Sequence, residues 1–167
     1  DLGVRGGVLP LDLEVEVQGA VTQADWGALS LAAQLALKPE QVAVDSLKLE
    51  LLGGQIKGEA TYLVGADSVE IQVEFAGVDL GRLPASRVAG RAAGNCRAGL
   101  NLHARRYTAE VGLDLQQLDV LPGGPYDFHL SAALRPDQSI RAELRSQLGH
   151  LGVTGFFDPQ GPYELAL

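Results

Sequence analysis

The chain has 167 residues, enough for one domain or one slice of a longer repetitive protein, and its 46% hydrophobic content supplies material for a core. The formal charge of −8, from 13 basic and 21 acidic residues, argues against nucleic acid or an anionic membrane surface as the main partner, since both call for basic patches. No apolar run approaches the roughly 18 residues of a membrane-spanning helix, Asp1 to Gly7 do not form a signal peptide, and the single Cys96 excludes an internal disulfide.

Leu9, Leu11, Leu13, Val15 and Val17 alternate with Asp12, Glu14, Glu16 and Gln18. A side-chain period of two is the mark of a strand with one apolar and one wet face. Pro10 cannot donate to a ladder and belongs at the strand start or on an edge. Gly19-Ala20 and Gln23-Ala24-Asp25 read as a break. Leu29 to Leu37 holds strand parity, although its alanines also allow a helix. Strand is favoured because Lys38-Pro39-Glu40 then becomes a turn into a further strand, Val42 to Leu51. Trp26 is placed at one end of the core.

The clearest stretch is Leu51 to Phe75. Ile56, Gly58, Ala60 and Tyr62 share one parity and Gln55, Lys57, Glu59 and Thr61 the other. After Gly65-Ala66-Asp67, Val69, Ile71, Val73 and Phe75 resume against Glu70, Gln72 and Glu74. This pattern predicts a hairpin. Val78 to Pro84 is too short for a full helix and reads as a turn or a single helical turn. From Val88 to Ala104 one parity runs through Gly90, Ala92, Gly94, Cys96, Ala98, Leu100 and Leu102. That is either one long bent strand or two strands folded near Gly94-Asn95. Further strands follow at Tyr107–Leu115, Tyr126–Leu134 after the turn Pro122-Gly123-Gly124-Pro125, Ile140–Leu144, Leu151–Phe157 and Tyr163–Leu165.

The expectation is an all-β, mostly antiparallel meander of roughly ten strands, with no crossover helices for a parallel fold. It is a single repetitive β domain over 1–167. Gly54-Gln55-Ile56-Lys57-Gly58 is echoed by Leu151-Gly152-Val153-Thr154-Gly155 and, more loosely, by Arg87-Val88-Ala89-Gly90. Each echo suits a hairpin that must stack on its neighbours to bury its apolar face.

Little in the chain suggests a catalytic site. His103, His129 and His150 lack metal-ligand spacing, and the first two fall on wet faces. Cys96 lies on the apolar parity among small residues, as a buried inert thiol. Gly90-Arg91-Ala92-Ala93-Gly94 lacks the phosphate-cradle pattern. Glu14 with Glu16, and Glu70 with Glu74, are solvated surface pairs. The expectation is a non-enzymatic protein without metal or cofactor. Arg87, Arg91, Arg97, Arg105 and Arg106 form the one local basic cluster. It is either a solubilising face or a contact for a lipid headgroup or acidic partner.

Leu52-Gly53-Gly54-Gln55-Ile56-Lys57-Gly58-Glu59-Ala60, Val73-Glu74-Phe75-Ala76-Gly77-Val78-Asp79-Leu80-Gly81-Arg82-Leu83-Pro84 and Arg87-Val88-Ala89-Gly90-Arg91-Ala92-Ala93-Gly94 resemble the AsmA-like superfamily of Gram-negative envelope proteins. The resemblance covers about the middle half of the chain, Val42 to Leu115. Within the superfamily the chain is similar to a piece of a TamB-type or YdbH-type inter-membrane protein, or to the periplasmic part of type II secretion system protein N. Leu151 to Leu167 suits the secretion protein at least as well.

The resemblance implies a periplasmic sheet curled lengthwise into a β-taco-like groove or partly open barrel with an apolar interior. It implies a longer protein anchored in the inner membrane through a segment absent from this chain. The expected function is lipid transport between inner and outer membrane, with phospholipid acyl chains as partners and no nucleic acid. The alternative is a structural part of the secretion machinery that binds other envelope proteins. The groove lining would come from Leu11, Leu13 and Val15, from Leu47, Leu49 and Ile56, and from Val69, Ile71, Val73 and Phe75. Leu100, Leu102, Val111, Leu113, Phe128 and Leu130 would complete it. A plain sandwich or closed barrel, its core filled by the same Leu and Val side chains, stands as the competing architecture.

Overall fold

The computed structural model describes residues 2–7, 12–23, 27–83, 88–119, 123–157 and 164–166. The strands are β1 (Leu2–Gly7), β2 (Asp12–Gln23), β3 (Gly27–Lys38), β4 (Gln41–Leu51), β5 (Gly54–Leu63) and β6 (Ser68–Asp79). A single 3-10 turn, Leu80–Arg82, leads to β7 (Ala89–Asn101), β8 (Arg106–Asp119), β9 (Tyr126–Leu134), β10 (Ser139–Ser146), β11 (Gly149–Phe156) and β12 (Glu164–Ala166). They form one twelve-stranded sheet in chain order, antiparallel at every pairing. The sheet is curved and is not closed into a barrel. That rules out the sandwich and the closed barrel.

Each element follows from local chemistry. The β4–β5 hairpin turns on Leu52 and Gly53, whose φ values of 53° and 76° match the two left-handed positions of a primed two-residue turn. Asp79 caps the 3-10 turn by accepting from Gly81 N–H at 3.0 Å. Arg82 closes back on Asp79 at 3.3 Å. The run after Val88 is one strand, β7, with its irregularities placed in its neighbours: the register slips between Phe75 and Val78 on β6, and near Gly90 against β8.

Several expectations need correction. Gly19-Ala20 does not break the chain: Gly19 pairs with Leu31 and Ala20 with Ser30 inside the β2–β3 ladder. Leu102 and Ala104 do not continue β7, because the strand ends at Asn101. The Asn101 side chain there accepts from Ala104 N–H at 2.7 Å and starts the turn. β1 carries no alternation in the sequence and emerges only from its pairing with β2. The expectations for Leu9, Pro10 and Leu11, for Ala24-Asp25 and Trp26, and for Pro84, Arg87, Pro122 and Tyr163 lie outside the described residues.

The sheet has very little core. Only Ala36, Ala43, Leu52, Ala92 and Leu118 are buried hydrophobics among the described residues, and no large side chain is fully enclosed. Accessible surface amounts to 11412 Å². A compact monomer of 17.6 kDa would expose about 7,900 Å². The excess is what a single layer with two open faces produces. Its cohesion comes from ladder hydrogen bonds and cross-strand side-chain pairs, each pair contributing about 0.2–1 kcal/mol.

Candidate functional site

Residues directly opposite one another in an antiparallel ladder point to the same side, so the register assigns the faces. One row crosses the sheet as Leu31, Leu49, Ile56, Phe75, Gly94, Leu113, Leu130, Leu144 and Leu151. A second runs through Val17, Ala33, Leu47, Gly58, Val73, Cys96, Val111, Ala132, Ala142 and Val153. A third follows Val44, Ala60, Ile71, Ala98, Ala109, Leu134 and Ile140. The fourth is Leu37, Val42, Tyr62, Val69, Leu100 and Tyr107.

These rows contain no charged residue. Three bulges keep the face apolar, one of them the slip between Phe75 and Val78 on β6, which holds Val78 on the side of Phe75. Between Val44 and Leu47 the register slips by one residue, so Val42 and Val44 stay on the same side as Leu47 and Leu49. A matching slip between Leu115 and Leu118, with Gln117 at φ 54°, keeps Leu118 with Leu115. Of the residues expected to line a groove, Leu13, Val15, Leu47, Leu49, Ile56, Val69, Ile71, Val73, Phe75, Leu100, Val111, Leu113, Phe128 and Leu130 share this face. Leu102 does not: it sits in the β7–β8 turn, 46% exposed. Leu11 lies outside the described residues.

The face is only partly covered by its own side chains. Ile71 in its middle is 38% exposed, and Leu31 and Leu151 toward its ends are 36% and 51% exposed. Cys96 is half-buried between Val73 and Val111 rather than enclosed. The expected lining leaves out Leu37, Tyr62, Tyr107, Leu134 and Leu144, which the sequence puts on the apolar parity and which also belong to this face.

The opposite face is polar. Glu143 receives both Arg141 and Arg145 at 2.7 Å. The Arg145 hydrogen bond and then the Arg141 hydrogen bond hold its carboxyl below the usual range. Asp137, in the β9–β10 turn rather than on the face, is lowered as well, first by the Ser139 hydroxyl and then by the Ser139 amide. His129 Nδ1 lies 2.6 Å from Asp114. A hollow of about 750 Å³ opens here between Glu59, Glu70, Arg97, Thr108, Glu110 and Arg135. Its charged side chains are exposed, unlike the desolvated groups that set up acid–base chemistry. Among the described residues no three His, Cys, Asp or Glu side chains gather to hold a metal ion.

A carboxylate whose folded pKa is depressed contributes stability above its unfolded value and loses it as pH falls through the folded one. Acid titration of the folded protein is therefore expected to weaken the β9–β10–β11 end below the ordinary carboxylate range. Glu143→Gln should flatten that dependence. Circular dichroism at the unfolding midpoint against pH reads both, and an unchanged slope in the variant would remove Glu143 from the explanation.

No family model, curated protein or solved structure matches this chain. The basic cluster expected from the sequence divides in space: Arg91 and Arg97 stand on the polar face of β7, whereas Arg105 and Arg106 lie at the β7–β8 turn. His103 stands in the same turn, not on a strand face.

Proposed function

We propose that this chain is a non-enzymatic module of the Gram-negative envelope that holds phospholipid acyl chains along its apolar face, as the resemblance to the AsmA-like superfamily implies. The observation that carries the reading is a continuous charge-free face, several rows wide, with no second layer over it among the described residues. Exposed apolar area of this extent must meet another apolar body.

Dimensions suit acyl chains. From β2 to β11 the second row extends about 43 Å at the spacing of neighbouring strands. The tails of one bilayer leaflet span about 15 Å, so tails can lie across several strands at any point of the face. Each methylene removed from water contributes about 0.8 kcal/mol, so such a face holds tails without a specific polar contact. Periplasmic residence and an inner-membrane anchor outside this chain belong to the same reading.

The test is a titration of delipidated protein with a pyrene-labelled phospholipid below its aggregation threshold. Saturable uptake supports the reading. No uptake by folded protein overturns it, and shifts the assignment to a structural part of the type II secretion machinery whose apolar face is covered by protein.

A further inference from the structure

One end of the sheet is a ridge of linked turns. Val64 N–H donates to Glu40 O at 3.0 Å and Leu102 N–H to Asp67 O at 2.9 Å. Asn101 Nδ2 reaches Ala66 O at 3.5 Å. These bonds tie the β3–β4, β5–β6 and β7–β8 turns side by side. On this ridge Leu63, Val64 and Leu102 are 39%, 47% and 46% exposed. Beside Leu102 stand His103, Arg105 and Arg106, all exposed, and no acid occurs from Asn101 to Tyr107. Among the described residues neither Arg105 nor Arg106 has an ion-pair partner. Asp67, the carboxylate of the neighbouring turn, accepts a hydrogen bond from Tyr62 at 3.0 Å.

We infer that this ridge docks on an anionic phospholipid bilayer, with Val64 and Leu102 entering the interface and Arg105 and Arg106 meeting lipid phosphates. Exposed aliphatic tips flanked by unpaired guanidinium groups are the pairing that an interfacial site uses, since apolar burial and headgroup attraction then act together. The net charge of −8 opposes binding. Most acids, however, stand on the strands, where every two residues add about 6.6 Å from the ridge, and charges beyond about 8 Å are largely screened at physiological salt. Lys38 stands beside Glu40 on the β3–β4 turn, and on the β9–β10 turn, tied in where Gln138 Nε2 donates to Tyr107 O at 3.3 Å, exposed Arg135 accompanies Asp137.

Docking at the ridge is independent of whether tails occupy the apolar face. The full chain is tested by flotation with vesicles of phosphatidylcholine and phosphatidylglycerol, and with phosphatidylcholine alone. The expected result is association with the anionic vesicles only, weakened by salt. Arg105→Asn together with Arg106→Gln should lower it roughly 25-fold, at about five-fold per basic residue. Asn tolerates the φ of 50° at position 105, so the variant keeps the turn.

Ile71→Asp, which disables the apolar face, should float like the unaltered chain. Equal association with neutral vesicles, no association, or an unchanged double variant would overturn the inference. So would loss of flotation in Ile71→Asp alone, because association would then run through the apolar face.

Discussion

Ile71→Asp is expected to weaken acyl-chain binding roughly 50-fold while leaving the sheet folded, by losing apolar contact and placing a carboxylate against a lipid tail. Ile71 occupies the third apolar row between Ala60 and Ala98, with small neighbours on both sides. Its 38% exposure means that its own fold buries it incompletely, so Asp there costs the isolated sheet little. A bound tail would bury it further. Probe titration measures the affinity, and circular dichroism confirms the strands. Undiminished binding by a folded Ile71→Asp protein would show that the tails, if held at all, lie elsewhere.

Gly54→Ala should destabilise the sheet by about 3 kcal/mol, at the upper end of what overpacking costs. A Cβ at Gly54 would stand 2.6 Å from Val78 N and 2.7 Å from both Ala76 O and Val78 Cα. All three are backbone atoms of the β6 bulge, so none can rotate away. β6 itself must shift, and with it the bond from Asp79 N–H to Leu52 O. Gly65→Ala is the contrast, since a Cβ at Gly65 meets nothing within 4 Å and a surface change of this kind stays within about 0.5 kcal/mol. Urea unfolding distinguishes them, and similar midpoints would remove the steric explanation. Where a domain's whole stability is about 5–15 kcal/mol, a loss of this size is large.

Most of the fold was legible because a half-solvated sheet imprints its faces on the sequence directly. Gln55 to Tyr62 and Val69 to Phe75 alternate without a fault, and the structure pairs them residue for residue. Leu29 to Leu37 was ambiguous by propensity, and its pairing with both β2 and β4 decided it as a strand. β1 escaped notice because Leu2–Gly7 carries three glycines and no alternation. Its pairing with β2 is made by the backbone, to which composition is blind. Parity also says nothing about where a strand stops. Leu102 kept the rhythm of β7, while Asn101, a residue that begins turns, carried the stop signal.

The bulges could have been found. Apolar parity switches from even at Val42 and Val44 to odd at Leu47 and Leu49, and again between Leu115 and Leu118. Such a switch inside a run requires one extra residue if the face is to stay apolar. The ridge was not legible, because it depends on three turns distant in sequence that the meander brings together. Its arginines could be counted, but the separation of Arg105 and Arg106 from Arg91 and Arg97 required the register.

Native mass spectrometry of the purified chain, followed by lipid extraction, tests the central claim most directly. Co-purifying phospholipid in near-stoichiometric amount, reduced in Ile71→Asp, is the predicted result. A monodisperse, lipid-free protein that also takes up no added phospholipid would contradict it.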